Sequence, residues 1–319
     1  MKTVNMHALL LGAGFSKWAS DLPLGSQLFD FAVEPFGMRE QNRLERTKAL
    51  KHEWSSKNPD GLAEQFIAYV LSWGDARSKE DILWYIVRRL SQPYIWQEWH
   101  AGRMRRHVLM IDESRKWDQA GVSRAAEFIN QCGNGLSGIV TLNYDLLVEY
   151  GLGSRGFNYG SVGEVLYGRG PYPLAEWRNP VTLTGLVPLA KLHGSISWDI
   201  NGRYTDGRRG LSGKALIVAP TPDKSPPTDL LDQWDLSGRI LQEASRILVF
   251  GFGFNEYDQA VLLHLREAGS HLEEVAIVDV NTRNREARRL WTRAEIKTFP
   301  PTTQGIDEIK VWLKKGTHK

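Results

Sequence analysis

The chain has 319 residues and a formal net charge of +3 at pH 7 with neutral histidines. Apolar residues make up 42% and charged residues 24% of the sequence, ordinary values for a folded globular protein that exclude intrinsic disorder of the whole chain. A charge this close to balance does not indicate direct nucleic-acid binding. The single cysteine, Cys132, excludes an internal disulfide and a cysteine-based zinc site, and the sequence indicates no metal.

The apolar stretches are too short for a membrane segment or a signal peptide. None approaches the 18 or more residues that a membrane helix needs, and the apolar run near the N-terminus ends in a glycine turn after about five residues. We therefore expect a soluble, cytoplasmic protein.

Short apolar runs without polar alternation recur along the chain and end in glycine or polar turns. They cover residues 8–11, 138–142, 189–192, 215–218, 246–250, 275–280 and 296–299. Such runs are typical of strands that are buried on both faces of a parallel sheet. Helical patterns follow several of them, at residues 258–267, 282–294 and 306–315. This alternation predicts an α/β fold, a Rossmann-like parallel sheet with helices on both faces.

Two segments interrupt the alternation. Residues 22–133 carry long helical patterns and many tryptophans, and predict a large helical insertion after the first strand. Residues 151–188 are rich in Gly, Tyr and Pro and predict a loop-rich insertion. We expect one domain over residues 1–319, with its sheet core in residues 1–21 and 134–319. The aromatic residues of the helical insertion are typical both of a partner contact and of ordinary core packing.

A glycine turn directly follows the first predicted strand, in the segment GAGFS of residues 12–16. Glycines at this place let the backbone turn sharply and approach a diphosphate, toward which the N–H groups of the next helix point. A side chain at Gly14 is expected to block that approach. The third glycine of the dinucleotide fingerprint is replaced by Lys17, so a tight turn without a ligand explains the motif equally well.

Polar side chains follow the next two predicted strands. Asn143 and Asp145, in the segment TLNYD, are expected to face the crevice where α/β sheets bind ligands. Asp145 has an alternative role as the cap of the following helix. His193, in the segment KLHGS, stands between a strand and a glycine turn, where an imidazole can transfer protons near neutral pH. A purely structural histidine is the alternative.

Two more strand ends complete the set. Gly251 and Gly253 form a second glycine turn, in the segment GFGFN, and Asp258 opens the next helix. Asp279 and Asn281 follow the next strand, in the segment IVDVN. Side chains of these types can hydrogen-bond a ribose hydroxyl of an adenosine.

In this order, the segments GAGFS, TLNYD, LHG, GFG and the asparagine after the last of these strands resemble the motifs of the sirtuin family. The resemblance covers the strand ends from Gly12 to Asn281 and leaves the helical insertion unmatched. It implies a sheet that binds NAD as a substrate and cleaves its nicotinamide–ribose bond.

The resemblance also implies residue roles. Asn143 would lie beside the nicotinamide ribose, and His193 would act on the ribose hydroxyls as the second catalytic residue. Asp145 would contact the nicotinamide amide, and either Asp279 or Asn281 would contact the adenosine ribose. The remaining matched residues would bind the phosphates through the two glycine turns: Gly12, Ala13, Gly14, Ser16, Gly251 and Gly253.

Three features of this sequence differ from those usual in sirtuins. One cysteine cannot build the four-cysteine zinc module of the protein deacylases, Leu142 replaces a glutamine, and residues 17–24 replace the usual GIPDFR segment. These features resemble the divergent, zinc-less bacterial branch of anti-phage defence proteins, which hydrolyse NAD and deplete it in the infected cell. That branch implies control by homo-oligomerisation or by a partner protein, with a HerA-type translocase ATPase as the companion it suggests.

Three functions therefore compete at this level. The leading one is an NAD hydrolase that yields nicotinamide and ADP-ribose. The second is a zinc-less sirtuin deacylase or ADP-ribosyltransferase, and the third is a module that senses NAD or ADP-ribose without turnover. The presence of both Asn143 and His193 favours catalysis over sensing.

Overall fold

The computed structural model describes residues 6–35, 37–91, 94–101, 104–111, 116–152, 156–160, 186–199, 202–203, 214–220 and 225–315. Most of the predicted loop-rich insertion, residues 161–185, lies outside the described residues. Within the described ranges, no helix is both long enough and apolar enough to span a membrane.

The described residues form the following strands and helices. The strands are β1 (His7–Leu11), β2 (Tyr94–Ala101), β3 (Met104–Ile111), β4 (Leu136–Thr141), β5 (Phe157–Asn158), β6 (Val187–Lys191), β7 (Gly194–Ser195), β8 (Trp198–Asp199), β9 (Gly202–Arg203), β10 (Leu216–Ile217), β11 (Arg246–Phe250), β12 (Glu274–Val278) and β13 (Glu295–Phe299). The helices are α1 (Ala13–Ser20), α2 (Gly37–Lys57), α3 (Ala63–Trp73), α4 (Ala76–Leu90), α5 (Lys116–Gln131), α6 (Leu147–Leu152), α7 (Leu231–Glu243), α8 (Gln259–Ala268), α9 (Asn284–Leu290) and α10 (Thr303–Lys315).

Seven strands form one sheet in the order β13-β12-β11-β1-β4-β6-β5, and every neighbouring pair is parallel. The chain runs from β1 outward to β4 and β6, then returns to the other side of β1 through β11, β12 and β13. This is the strand order of a Rossmann fold, whose ligands bind where the order reverses, here between β1 and β11. The predicted α/β fold class is confirmed.

The central strands are apolar because both faces of the sheet are covered. All five residues of β1 and of β11 are buried. An aromatic cluster of Phe15, Trp18, Phe128 and Phe250 ties α1 and α5 to the sheet, with ring centroids between 5.1 and 6.0 Å apart. Contacts of this geometry stabilise the core beyond the area that they bury.

The segment between β1 and β4 divides into two parts. Helices α2, α3 and α4 pack on one another around two apolar clusters, the larger of which also includes residues near β7 and β10. Buried Asp81 of α4 binds the guanidinium of Arg46 of α2 in a bidentate pair at 2.6 and 2.9 Å. Helix α5 instead packs on α1 and α6 and contributes Phe128 and Ile129 to the main core. The segment also holds an antiparallel hairpin, β2 with β3, which the sequence did not predict.

The apolar run at residues 215–218 forms a strand, but not in the parallel sheet. Strand β10 pairs antiparallel with β7, and Leu216 lies opposite Ser195. Gly194 makes this possible because its φ is +80° and because a Cβ there would lie 2.0 Å from the carbonyl oxygen of Leu216. The Val218 N–H then donates to the His193 carbonyl oxygen at 3.0 Å, which fixes the loop that carries the histidine.

The two predicted glycine turns meet backbone against backbone. The Gly14 N–H donates to the Gly251 carbonyl oxygen at 3.0 Å, and the Gly12 N–H donates to the Phe250 carbonyl oxygen at the same distance. A Cβ on Gly14 would lie 2.6 Å from the Cα of Gly251. The sequence predicts that a side chain at Gly14 would block the approach of a diphosphate. In the structure, such a side chain would first collide with Gly251 and push the two glycine turns apart.

We predict that Gly251→Ala lowers the free energy of unfolding by about 2–5 kcal/mol, because a left-handed residue becomes strained and a packed contact becomes overfilled. The φ of Gly251 is +64°, and a Cβ there would lie 2.4 Å from the Cα of Gly14. Gly253→Ala is the matched control, since apart from its chain neighbours no described residue lies within 4 Å of its Cβ position. Equal losses in urea denaturation of the two variants would contradict this account.

Candidate functional site

A cleft of about 680 Å³ opens at the carboxyl ends of the central strands. Its size lies within the range of small-molecule sites in proteins. The strand ends form one wall, and residues of α2, α3 and the loop before α2 form the other. The predicted site residues that line it are Gly12, Ala13, Ser16, Asn143, Asp145, His193, Gly251 and Gly253. Gly14, Asp279 and Asn281 are absent from the lining.

The Asn143 side chain is held in one orientation by the first glycine turn. Its Nδ2 donates to the Gly12 carbonyl oxygen and to Ser16 Oγ, both at 2.9 Å. A carbonyl oxygen can only accept, so the amide nitrogen must face Gly12 and Oδ1 must point the other way. Oδ1 accepts no hydrogen bond from the described residues. The sequence predicted Asn143 at the cleft, and the structure shows why its free acceptor is fixed.

Asp145 completes this network and also caps a helix. Its Oδ2 accepts from Ser16 Oγ at 2.8 Å, and its Oδ1 accepts from the Leu147 N–H at 2.9 Å. Asp145 therefore caps the helix, a role that the sequence left open, and it also lines the cleft wall. Ser16 is buried and donates to Asp145, so its hydroxyl orients the carboxylate.

A buried ion pair lies directly beneath this loop. Lys191 and Glu149 are almost fully buried, and Lys191 Nζ lies 2.9 Å from Glu149 Oε1. The same Nζ donates to the Asp145 carbonyl oxygen at 2.5 Å, and Tyr159 Oη donates to Glu149 Oε1 at 2.9 Å. The ammonium thus ties β6 to the loop that carries Asn143 and Asp145. No sequence pattern points to this pair, because a lysine within a strand is usually solvent-exposed.

His193 is paired with a carboxylate that the sequence did not assign to the site. Its Nε2 lies 2.9 Å from Asp258 Oδ2, and both side chains are buried. Asp258 stands before the first residue of α8 but makes no side-chain cap there. If Nε2 donates its proton to Asp258, Nδ1 carries the lone pair, as in histidines oriented by a carboxylate. Nδ1 has no hydrogen-bond partner among the described residues.

The Tyr144 ring forms the cleft wall beside the histidine. Its centroid lies 6.2 Å from that of His193, and its Oη donates to the Val218 carbonyl oxygen at 3.1 Å. Burial raises the pKa of the Tyr144 phenol, and the nearby carboxylates of Glu64 and Asp258 raise it further. The phenol therefore stays protonated and acts as a wall and not as a base.

The backbone N–H groups of Ala13 and Gly253 are exposed at the meeting of the glycine turns. Ala13 is the exposed first residue of α1, and Gly253 is exposed in the second turn. Neither N–H has a hydrogen-bond partner among the described residues. The Ala13 N–H stands at the start of α1, where a free N–H favours an anionic ligand.

Asp279 and Asn281, the two residues predicted for an adenosine ribose, lie after β12 and outside the lining of this cleft. The Asp279 carboxylate accepts from the Asn281 N–H at 2.8 Å, and the Asn281 side chain is exposed. Arg283, which no sequence motif indicates, lines the cleft at this end.

The helical wall brings two more ionisable groups that sequence reasoning missed. Lys51 of α2 and Glu64 of α3 both line the cleft. The Lys51 ammonium lies 4.5 Å from the centroid of the Trp54 ring and donates to Ser55 Oγ at 3.1 Å. Burial lowers the pKa of this amine. These residues belong to a segment that the family motifs leave unmatched, so no motif pointed to them.

No metal centre is seen in the part of the chain that the structure describes. Among those residues, no group of three or more His, Cys, Asp or Glu side chains is arranged to hold a metal ion.

Comparison with known proteins shows only distant likenesses. No protein-family model matches the chain, and the search of curated proteins gave no match. A Sir2 homologue solved as an NAD complex is 14% identical with a TM-score of 0.37, over 99% of this chain and 93% of that chain. A Sir2 enzyme is 11% identical with a TM-score of 0.41, over 98% and 92%. A Sir2 protein solved with an inhibitor, 2′-O-acetyl-ADP-ribose and a deacetylated peptide is 12% identical with a TM-score of 0.40, over 98% and 94%.

We predict that Lys191→Met lowers the free energy of unfolding by about 3–5 kcal/mol, because it leaves the Glu149 carboxylate buried without its cation. Adding Glu149→Gln is expected to restore part of the loss, as measured by urea denaturation. Lys310→Met is the control, since Lys310 forms an exposed pair with Asp307 and its loss is expected to have little effect. A double variant no more stable than the single one would contradict the assignment of the cost to the unpaired carboxylate.

Proposed function

We propose that NAD binds in this cleft and that the protein hydrolyses its nicotinamide–ribose bond, releasing nicotinamide and ADP-ribose. The observation that carries the proposal is that Asn143 and His193 lie close together, after the neighbouring strands β4 and β6. The fixed, free Oδ1 of Asn143 and the carboxylate-paired imidazole of His193 line the same cleft as two glycine turns.

The reaction breaks the bond between C1′ of the ribose and the nitrogen of the cationic nicotinamide ring. The bonding electrons leave with nicotinamide, which becomes neutral, and positive charge develops at C1′. Water adds to C1′ and loses one proton, so that NAD and water give nicotinamide, ADP-ribose and a proton. The protein has to hold the ribose, place one water molecule and stabilise the developing positive charge.

In the proposed reaction, Asn143 positions the attacking water molecule or the ribose through a hydrogen bond to its Oδ1. Because its Nδ2 is bound to Gly12 and Ser16, Oδ1 can accept a hydrogen bond without any rearrangement of the side chain. An acceptor oriented before the ligand arrives costs no reorganisation in the transition state.

His193 supports the proton chemistry. With Nε2–H held by Asp258, Nδ1 can accept a proton from a hydroxyl of the nicotinamide ribose. A hydroxyl that gives up its proton carries more negative charge and stabilises the cationic C1′. The buried Asp258 carboxylate in turn stabilises the imidazolium that forms.

The remaining residues support binding. The free N–H groups of Ala13 and Gly253 provide donors for the diphosphate. The Tyr144 ring and the apolar residues of α3 that line the cleft limit the access of bulk water to the ribose.

We further propose that this activity depletes NAD in bacterial anti-phage defence, in the cytoplasm. An enzyme that consumes NAD must stay inactive until it is triggered. Control by homo-oligomerisation or by a HerA-type ATPase partner is consistent with the wall of helices α2–α4, which closes the cleft from outside the parallel sheet.

The function is tested by incubating the purified protein with NAD in the absence of any acylated peptide, alone and with its candidate partner. We expect nicotinamide and ADP-ribose in equal amounts by mass spectrometry. Nicotinamide release that requires an acetylated peptide would instead support the deacylase. NAD that binds but stays intact in every assembly state would support the sensing module and overturn the hydrolase.

We predict that His193→Gln lowers the rate of NAD cleavage about 10²- to 10⁴-fold while NAD binding stays close to that of the parent. The glutamine amide can still donate to Asp258, so the buried carboxylate keeps a partner, but no proton acceptor remains. Asn143→Ala is a less specific test, because it also removes the hydrogen bonds to Gly12 and Ser16.

The control for this prediction is His271→Gln, since His271 is exposed and bonds only the Ala244 carbonyl oxygen among the described residues. Its rate is expected to equal that of the parent. Parental turnover by His193→Gln would show that the histidine is structural and that the mechanism is wrong.

A further inference from the structure

The water molecule that attacks C1′ in the proposed hydrolysis must lose a proton, and Asn143 and His193 leave that proton without an acceptor. The Asn143 amide oxygen accepts a hydrogen bond but does not titrate near neutral pH. The His193 imidazole is engaged with a hydroxyl of the nicotinamide ribose. A positioned base contributes about 10²- to 10⁴-fold to the rate of such a step. A second proton acceptor in the cleft would therefore have a large effect on hydrolysis.

Three carboxylates of the described residues line the cleft, and two of them already have partners. Asp145 accepts from the Ser16 hydroxyl and from the first N–H of α6. Asp258 is paired with His193. The third carboxylate, that of Glu64 in α3, forms no hydrogen bond and no ion pair within the part of the chain that the structure describes. Both of its oxygens can therefore accept from a ligand or from water.

A glutamate in the first turn of a helix ordinarily stabilises the helix dipole, and Glu64 is the second residue of α3. The capping contact of α3 is made by its neighbour, because Gln65 Oε1 accepts the Leu62 N–H at 2.9 Å. The Glu64 carboxylate instead lies against Gly25 on the cleft wall, where a Cβ on Gly25 would collide with Glu64 Oε1. The carboxylate thus occupies space at the cleft that a side chain at position 25 would fill.

Glu64 lies near the reacting end of the cleft. Burial raises the pKa of the Tyr144 phenol, and the charges of Glu64 and Asp258 add to this effect, so both carboxylates are close to Tyr144. The Tyr144 ring lies 6.2 Å from the ring of His193, and Tyr144 directly follows Asn143 in the chain. Glu64 therefore approaches, from the helical wall, the region where the proposed reaction places the nicotinamide ribose.

Lys51, on the same wall, is the other side chain that could exchange a proton with water. Burial lowers the pKa of this amine, but its hydrogen bond to Ser55 and its place over the Trp54 ring both favour the ammonium form. It forms no ion pair with Glu64 in the described part of the chain. Of the two, the carboxylate is the group that can accept a proton.

We propose that Glu64 is the general base that takes the proton of the attacking water, and thus a third catalytic residue. This inference rests on the proposed function. The water oxygen forms a bond to C1′ while the bond from C1′ to the nicotinamide nitrogen breaks, and the bonding electrons leave with nicotinamide. One water proton passes to a Glu64 carboxylate oxygen, which later releases it to the solvent. NAD and water again give nicotinamide, ADP-ribose and a proton.

This role separates Glu64 from a residue that only binds the ligand or supports the fold. A nucleophile that carries no proton does not need a base. The azide anion is such a nucleophile, and its attack on C1′ gives nicotinamide and the 1′-azido derivative of ADP-ribose. A defect caused by the loss of the base is therefore relieved by azide, whereas a defect in folding or binding is not.

The test compares Glu64→Gln, Glu64→Ala and Glu53→Gln with the parent, in an assembly state in which the parent cleaves NAD. Nicotinamide release gives kcat and KM, calorimetry with ADP-ribose measures binding without turnover, and the thermal midpoint verifies that each variant is folded. Glu53 is the control, because it is an exposed glutamate of α2 that pairs with Lys57 and does not line the cleft.

We expect Glu64→Gln to lower kcat about 10²- to 10⁴-fold, with KM and the affinity for ADP-ribose close to those of the parent. Glu53→Gln should have the kcat of the parent. Azide should accelerate nicotinamide release by Glu64→Ala, in which the smaller side chain leaves room for it, and mass spectrometry should detect the azido product. The parent should gain little from azide.

Three results would overturn the inference and leave the proposed function standing. The first is a parental kcat in Glu64→Gln. The second is a slow Glu64→Ala variant that azide does not accelerate, and the third is a loss of ADP-ribose affinity as large as the loss of kcat/KM, which would assign Glu64 to ligand binding. If the parent cleaves NAD in no assembly state, the proposed function fails and this inference fails with it.

Discussion

The carboxyl ends of β1 and β11 approach each other so closely that no Cβ fits between them. Gly14 donates to Gly251 across this contact, and Gly12 donates to the end of β11. These bonds consume the N–H groups that would otherwise face a ligand, and they leave the Gly12 carbonyl oxygen on the side of Asn143. The contact therefore decides both which backbone donors remain free, those of Ala13 and Gly253 among them, and which way the Asn143 amide points.

A buried polar network carries that orientation deeper into the protein. Asn143 donates to Ser16, Ser16 donates to Asp145, and the loop beneath them is held by Lys191, whose charge is matched by Glu149. Each charged group in the network is desolvated, so removal of one member leaves another without compensation. Such a network is well suited to fixing the position of a catalytic amide, because it has few alternative arrangements of similar free energy.

The sequence predicted what depends on local pattern. Uninterrupted apolar runs and glycine turns sufficed for the parallel sheet and for the alignment of Asn143 and His193 at one edge, because parallel strands all end on the same side. It could not reveal the His193–Asp258 pair, since an aspartate before a helix ordinarily caps that helix and the contact exists only after β6 and α8 have packed. Gly14 was predicted as a glycine position for a ligand, whereas the neighbouring turn of Gly251 is what excludes its side chain.

The charged side chains along the cleft lie beside groups of opposite charge, so neither end of the cleft presents an isolated charge. His193 lies against the Asp258 carboxylate, and the helical wall opposite holds both Glu64 and Lys51. Arg283, at the other end, lies 3.9 Å from carboxylate oxygens of two neighbours, Asp279 and Glu286. Binding of the proposed dinucleotide would therefore depend on the backbone N–H groups of the glycine turns more than on a cationic side chain, because those donors are the ones without partners among the described residues. The close contact of the two turns, which determines where these donors lie, would then determine where the diphosphate lies as well.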